Sequence, residues 1–171
     1  MSETTTPSRN ENFVKFVMER ITKEDNGAVA ALKRADNPAT EYQSWEYLAR
    51  FINIEHDDRL SYATIASAIA KAKAEQNGTV QIGQAIAKCY EDGKESDQAK
   101  AKLRRLLACE TTEEVCRVLR PLFSLIGSKA GVSLDYVKLL DNLCHFHFNP
   151  QRVKSHWAQD FYRNFALEDN E

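Results

Sequence analysis

Apolar positions recur at three- and four-residue intervals through most of the chain, a pattern that predicts amphipathic helices. Residues 11–23 place Phe13, Val14, Phe16, Val17 and Ile21 on one face, and the polar run up to Gly27 ends that helix. Residues 27–35 predict a short alanine-rich helix finishing in Lys33 and Arg34. Asn37 before Pro38 reads as a cap with proline in the first turn. It opens a helix to about Asn53 that buries Tyr42, Trp45, Leu48, Ala49 and Ile52. Residues 61–75 and 80–90 predict two more helices around the turn at Asn77-Gly78.

The clearest signal runs from Lys100 to Ile126. Thr111 followed by Glu114 is a capping box: the Thr hydroxyl accepts the amide proton three residues on, and the Glu carboxylate reaches back to the cap. From there Val115, Val118, Leu119, Leu122, Leu125 and Ile126 form one apolar stripe, with Arg117, Arg120 and Ser124 opposite. In the helix before it Leu103, Leu106 and Leu107 are the buried stripe. Lys100 with Arg104, and Lys102 with Arg105, border that stripe on its two sides. Residues 127–131 predict a turn, and Ser133 a cap for a helix bearing Leu134, Val137, Leu140, Leu143 and Cys144. Asn149-Pro150 repeats the asparagine–proline start signal and opens a last helix with Val153, Trp157, Phe161 and Phe165 on one face.

Together these elements predict an all-α protein of about eight or nine helices in two packed helical-bundle lobes. The acidic, polar run of residues 92–97 reads as the break between them. The expected organisation is a polar tail (1–10), an N-terminal lobe (11–92), a C-terminal lobe (93–166) and an acidic tail (167–171). At 171 residues the chain is long enough for one core or two lobes sharing one, and six Gly with four Pro are too few for the turns of an all-β fold. No apolar run approaches the length of a membrane span, and the N-terminus lacks the basic start and apolar stretch of a signal peptide. The expected location is the cytoplasm, with no membrane partner. Cys89, Cys109, Cys116 and Cys144 lie beside apolar residues in helical stretches, as buried free thiols do.

Charge changes this picture. Between Gln98 and Gly131 seven lysines and arginines face three acids, a local excess of +4 in a chain whose net charge is −2. Such a basic surface suits a phosphate-backbone binder. A solvated helix face rich in good helix formers is the alternative, and composition leaves it open. Lys33 and Arg34 are open in the same way, because cations also suit the C-terminal end of a helix dipole.

Candidate chemistry is sparse. Cys144, His145, His147 and His156 are the one group with metal-ligating side chains, but no paired Cys-x-x-Cys or His-x-x-x-His accompanies them, so no metal site is expected. No phosphate-cradling glycine loop, nucleophile elbow or His-Glu-x-x-His occurs, and the adjacent acids Asp57-Asp58 and Glu113-Glu114 sit at loops or helix starts. Neither a catalytic residue nor a cofactor is expected. Residues 61–90 could form a helix-turn-helix with Gln81, Gln84 and Lys88 as readers, which keeps a DNA-binding regulator as an alternative. A helical scaffold without a nucleic-acid role is another. Trp45 and Tyr47 are aromatics at helical spacing and read as core.

The order RRLLACETTEEVCRVLRPLFSLI, preceded by IGQAIAKCYEDG and followed by VKSHWAQDFY, resembles the CasB family, the small subunit of the type I-E CRISPR surveillance complex Cascade. GAVAALKRA at Gly27 to Ala35 resembles that family's first basic motif. The resemblance implies a non-catalytic subunit, present as a pair, docked on the backbone and large subunits of Cascade. It would stabilise the R-loop made by the crRNA on target DNA, chiefly through the displaced single strand. It also implies that Lys33, Arg34, Lys102, Arg104, Arg105, Arg117 and Arg120 contact phosphate, with Arg152 and Lys154 as second-rank candidates. The net negative charge differs from the more basic family members, so much of the affinity is expected to come from docking to other subunits.

Overall fold

A computed structural model describes residues 5–163, and among these the regular structure is nine α-helices and two short 3-10 turns. They divide into two units, one up to Asn77 and one from Gly78.

In the N-terminal unit α1 (Arg9–Thr22) starts where the Ser8 side chain accepts from the Glu11 amide, and α2 (Asn26–Lys33) where Asp25 accepts from the Ala28 amide. A 3-10 turn (Glu41–Ser44) leads into the single-turn α3 (Trp45–Leu48), and α4 (Arg59–Ala72) follows. Every residue of α4 from Ser61 to Ala70 is buried, and α1, α2 and α3 pack on it. Phe13 of α1 meets Tyr62 of α4 edge to face at 4.8 Å, and the Tyr62 hydroxyl accepts from Arg9 Nε (3.0 Å) and donates to Asn10. Ser67 Oγ donates to the carbonyl of Lys33 (2.8 Å), so the end of α2 is fixed to the middle of α4.

The helix expected over residues 38–53 is broken. Asn37 Oδ1 accepts from the Ala39 amide, two residues on, which makes a turn instead of a cap. The Thr40 hydroxyl donates to the Arg34 carbonyl and Ser44 Oγ to the Glu41 carbonyl, offering the backbone partners that compete with a helix. Of the expected stripe Leu48 and Ile52 are buried, whereas Tyr42 is 60% exposed, Trp45 half-buried and Ala49 exposed.

In the C-terminal unit the helices are α5 (Ile82–Lys88), α6 (Asp97–Leu107), α7 (Thr112–Lys129), α8 (Tyr136–His145) and α9 (Pro150–Tyr162). The short α5 packs on α9, α6 and α7. Gly83 permits the close approach to α9, since a Cβ there would sit 2.3 Å from the Trp157 carbonyl oxygen. This packing places α5 with the C-terminal helices, so the division falls before Gly78 and not in residues 92–97, as the polarity pattern suggests. Trp157, Phe146 and Phe161 are fully buried, and the first two rings stack at 6.0 Å. A lone parallel bridge joins Val80 to Leu134.

Several boundaries also differ from expectation. α7 runs through Gly127, so the chain turns only after Lys129, with Gly131 at φ +59°. Asp135, not Ser133, caps α8 by accepting from the Lys138 amide. Thr111 Oγ accepts from the Glu114 amide as the capping box requires, but the Glu114 carboxylate accepts from the Glu110 amide, one residue beyond the expected cap. The expected tail residues 1–4, Phe165 and the acidic tail 167–171 lie outside the described residues. All four cysteines are free, and Cys89, Cys109 and Cys116 are buried.

Candidate nucleic-acid interface

The candidate cations fall in four places in two units. Lys33, half-buried, ends α2, and exposed Arg34 follows it, donating to Gln43 Oε1 at 3.1 Å. These two belong to the N-terminal unit. The rest lie in the C-terminal unit, on α6, α7 and α9.

On α6 the buried line is Ala99, Leu103 and Leu106, and Ser96 Oγ, accepting from the Ala99 amide, starts the helix. At about 100° per residue Arg104 falls on one flank of this line with Lys100, and Arg105 on the other with Lys102. Arg104 and Arg105 are exposed, Lys102 half-buried, and neither arginine is paired with an acid among the described residues. On α7 the buried side is Val115, Cys116, Leu119, Leu122 and Ile126, which turns Arg117 and Arg120 to solvent. Arg117 pairs with Glu113 one turn earlier at 3.1 Å, both side chains being mostly exposed (68% and 72%). So exposed an ion pair contributes little to stability.

Arg152 is exposed in the first turn of α9, and half-buried Lys154 places its ammonium 5.9 Å from the centre of the Phe146 ring. Burial pushes the Cys109 thiol up, Glu114 adds to that, and Lys154 and Arg105 oppose it. Arg105 of α6, Lys154 of α9 and the Glu114 carboxylate of α7 thus all lie within electrostatic reach of one thiol. Arg117 and Arg120 share a different surface, the solvent side of α7. Periodicity alone could not show this neighbourhood, because it depends on how α6 packs on α9.

Sequence periodicity does not single out Arg50. It is exposed, lies over the Phe16 (5.3 Å) and Tyr47 (5.8 Å) rings, and forms no ion pair among the described residues. Its only sequence signal is its spacing of three from Tyr47. Among the described residues no three His, Cys, Asp or Glu come together in a way that could hold a metal ion. His145 Nδ1 lies 2.7 Å from the Asp141 carbonyl, and His147 packs on Phe148. Among the described residues no helix is long and apolar enough to cross a membrane. Two of the proposed helix-turn-helix readers are engaged elsewhere: Gln84 Oε1 accepts from the Gln81 amide, and Gln81 Nε2 donates to Asp135.

Fold and surface together define an all-α protein with cations on the flanks of its C-terminal helices. The family described as CRISPR-associated protein Cse2 matches residues 28–162, and this chain belongs to that family. Its fold is similar to CasB from M. ruber (25% identity, TM-score 0.74, covering 96% of this chain and 98% of that one). It is also similar to a Cse2-family protein of Thermus thermophilus (19% identity, TM-score 0.73, 91% and 99%). A chain of a CRISPR RNA-guided surveillance complex has the same fold (21% identity, TM-score 0.75, 95% and 98%). No curated protein sequence matches the chain.

Proposed function

We propose that this chain is the non-catalytic small subunit of a type I-E Cascade complex, present as a pair, and that it holds the displaced DNA strand of the R-loop. Family membership and the likeness to a chain of an RNA-guided surveillance complex support the assignment to a complex. The observation that carries the nucleic-acid role is the set of exposed cations on α6 and α9: Arg104, Arg105 and Arg152 form no ion pair among the described residues. Duplex opening by a guide RNA is nearly balanced in free energy, so a modest gain from exchanging the counterions of the extruded strand for fixed cations tips it. Contacts go to phosphate and carry little sequence preference. Lys102 and half-buried Lys154 add to this set, Arg117 and Arg120 offer a second one on the solvent side of α7, and Lys33 with Arg34 supplies a separate contact in the N-terminal unit.

The test is charge reversal in the reconstituted complex. Arg104→Glu, Arg105→Glu and Lys154→Glu together should leave assembly and guide loading intact. They should shorten R-loop lifetime and make the displaced strand more reactive to permanganate. Binding should fall with salt at a log–log slope of about −0.7 per phosphate contact, and each lost contact should flatten it by that amount. An unchanged R-loop lifetime in a correctly assembled complex would refute the role of this surface.

A further inference from the structure

We infer that His147 and Phe148 form a base-stacking platform for single-stranded nucleic acid, with Arg152 as its phosphate contact. This rests on the reading that the chain binds nucleic acid, and adds where and how a base would be held. Phe146, two residues earlier, and Trp157, which stacks on it, are fully buried, yet Phe148 is 77% exposed. A lone exposed Phe needs no explanation, but this one is half of a ring pair: the exposed His147 ring lies 3.9 Å from it, centre to centre, tilted by 39°.

The surroundings select the ligand. From Asn142 to Gln159 there is no acid, while the segment holds Arg152, Lys154 and three of the chain's four histidines. The guanidinium of Arg152 is exposed and forms no ion pair among the described residues. The turn that carries the rings is fixed: the amides of Phe148 and Asn149 both donate to the His145 carbonyl (3.0 and 3.1 Å). Asn149 Oδ1 then accepts from the Arg152 amide (3.2 Å), so the cation stands four residues beyond the exposed ring on a capped helix. Exposed rings edged by unpaired cations are what single-strand binders use, since every base has a face to stack and every linkage a phosphate to neutralise. An apolar protein partner would be matched by further exposed apolar side chains, but Asn149 and Gln151 are the polar neighbours here.

The experiment is fluorescence anisotropy of a short oligothymidine at low salt with the full chain, its Phe148→Ala and Phe148→Trp variants, and the Arg104→Glu, Arg105→Glu double variant. Phe148→Ala should melt like wild type and bind between about fivefold and a hundredfold more weakly, as for the loss of one base–aromatic stack. Phe148→Trp should retain binding, and its emission above the Trp45 and Trp157 background should be quenched by the oligonucleotide. If the double variant binds weakly while Phe148→Ala binds normally and the new Trp is not quenched, the platform is refuted and the wider nucleic-acid reading stands. If wild type does not bind, both fail. Normal oligonucleotide binding by Phe148→Ala with lost incorporation into the complex would make this a protein contact and overturn the proposal.

Discussion

Three cations of the N-terminal unit are bound into its fold, while three arginines of the C-terminal unit are not. In the N-terminal unit Arg59 Nε donates to Glu41 at 2.8 Å, a terminal nitrogen of Arg59 donates to the Ile54 carbonyl at 2.9 Å, and its guanidinium covers Trp45. Lys71 pairs with Asp36 at 2.7 Å and Arg20 with Asp25 at 3.5 Å. In the C-terminal unit Arg104, Arg105 and Arg152 stand on helix flanks with no acid partner among the described residues, and the core is built from Trp157, Leu119, Phe146 and their neighbours. A cation bound into its own fold is costly to remove and has little to offer a ligand. One left on a helix flank is cheap to remove and available.

That contrast can be broken first in the C-terminal core. Leu119 is fully buried in the middle of α7. Leu119→Ala should cost about 2–5 kcal/mol through lost burial and the cavity left behind, seen as a lower denaturant midpoint with unchanged slope. A loss below about 1 kcal/mol would mean that α7 is not the packed element its stripe indicates.

The next test compares arginines across the units. Arg59→Ala leaves Glu41, whose side chain is 13% exposed, without its partner and uncovers Trp45, so it should cost about 1–3 kcal/mol. Arg104→Glu and Arg105→Glu, although they reverse charge, should each stay within about 0.5 kcal/mol. Equal losses at both places would erase the distinction between structural and available cations.

The parts of this arrangement that were legible in the chain are those decided within one or two helical turns. The Thr111 cap, the stripes of α6 and α7 and the outward placement of Arg117 and Arg120 depend on local spacing, which the sequence pattern reports directly. Asn149-Pro150 and Asn37-Pro38 look alike, yet one starts a helix of 13 residues and the other a turn. The difference lies in the residues after each proline: Val153 and Trp157 give α9 an apolar face to bury, whereas the Thr40 and Ser44 hydroxyls bond backbone carbonyls and compete with the helix. The division before Gly78 and the presence of Arg105 and Lys154 within reach of one thiol were hidden because both depend on long-range packing of α9, on α5 and on α6. Phe148 was hidden for the opposite reason. It sits two residues from Phe146 in one aromatic run, and only the fold shows that this phenylalanine, unlike Phe146, faces solvent.

The smallest expected effect tests whether the C-terminal unit holds any charge by burial. Asp160 lies on α9, where burial raises its carboxyl above the ordinary value of 3.8, while Arg163, His156 and Lys138 pull it back down without cancelling the rise. The folded state therefore binds this proton more tightly than the unfolded chain does. The resulting contribution to stability is complete below the unfolded value and is lost as pH rises through the folded one, so at neutral pH the ionised Asp160 opposes folding. Asp160→Asn removes that ionisation. It should raise the melting temperature slightly at pH 7, by the equivalent of at most about 0.5 kcal/mol, and the advantage should shrink toward zero as pH falls below the ordinary aspartate range. A variant less stable than wild type at neutral pH would mean that attraction to Arg163, His156 and Lys138 outweighs the loss of solvation. The C-terminal unit would then also use its cations to hold itself together, and the case for Arg105 and Lys154 as available charges would need the R-loop measurement alone to sustain it.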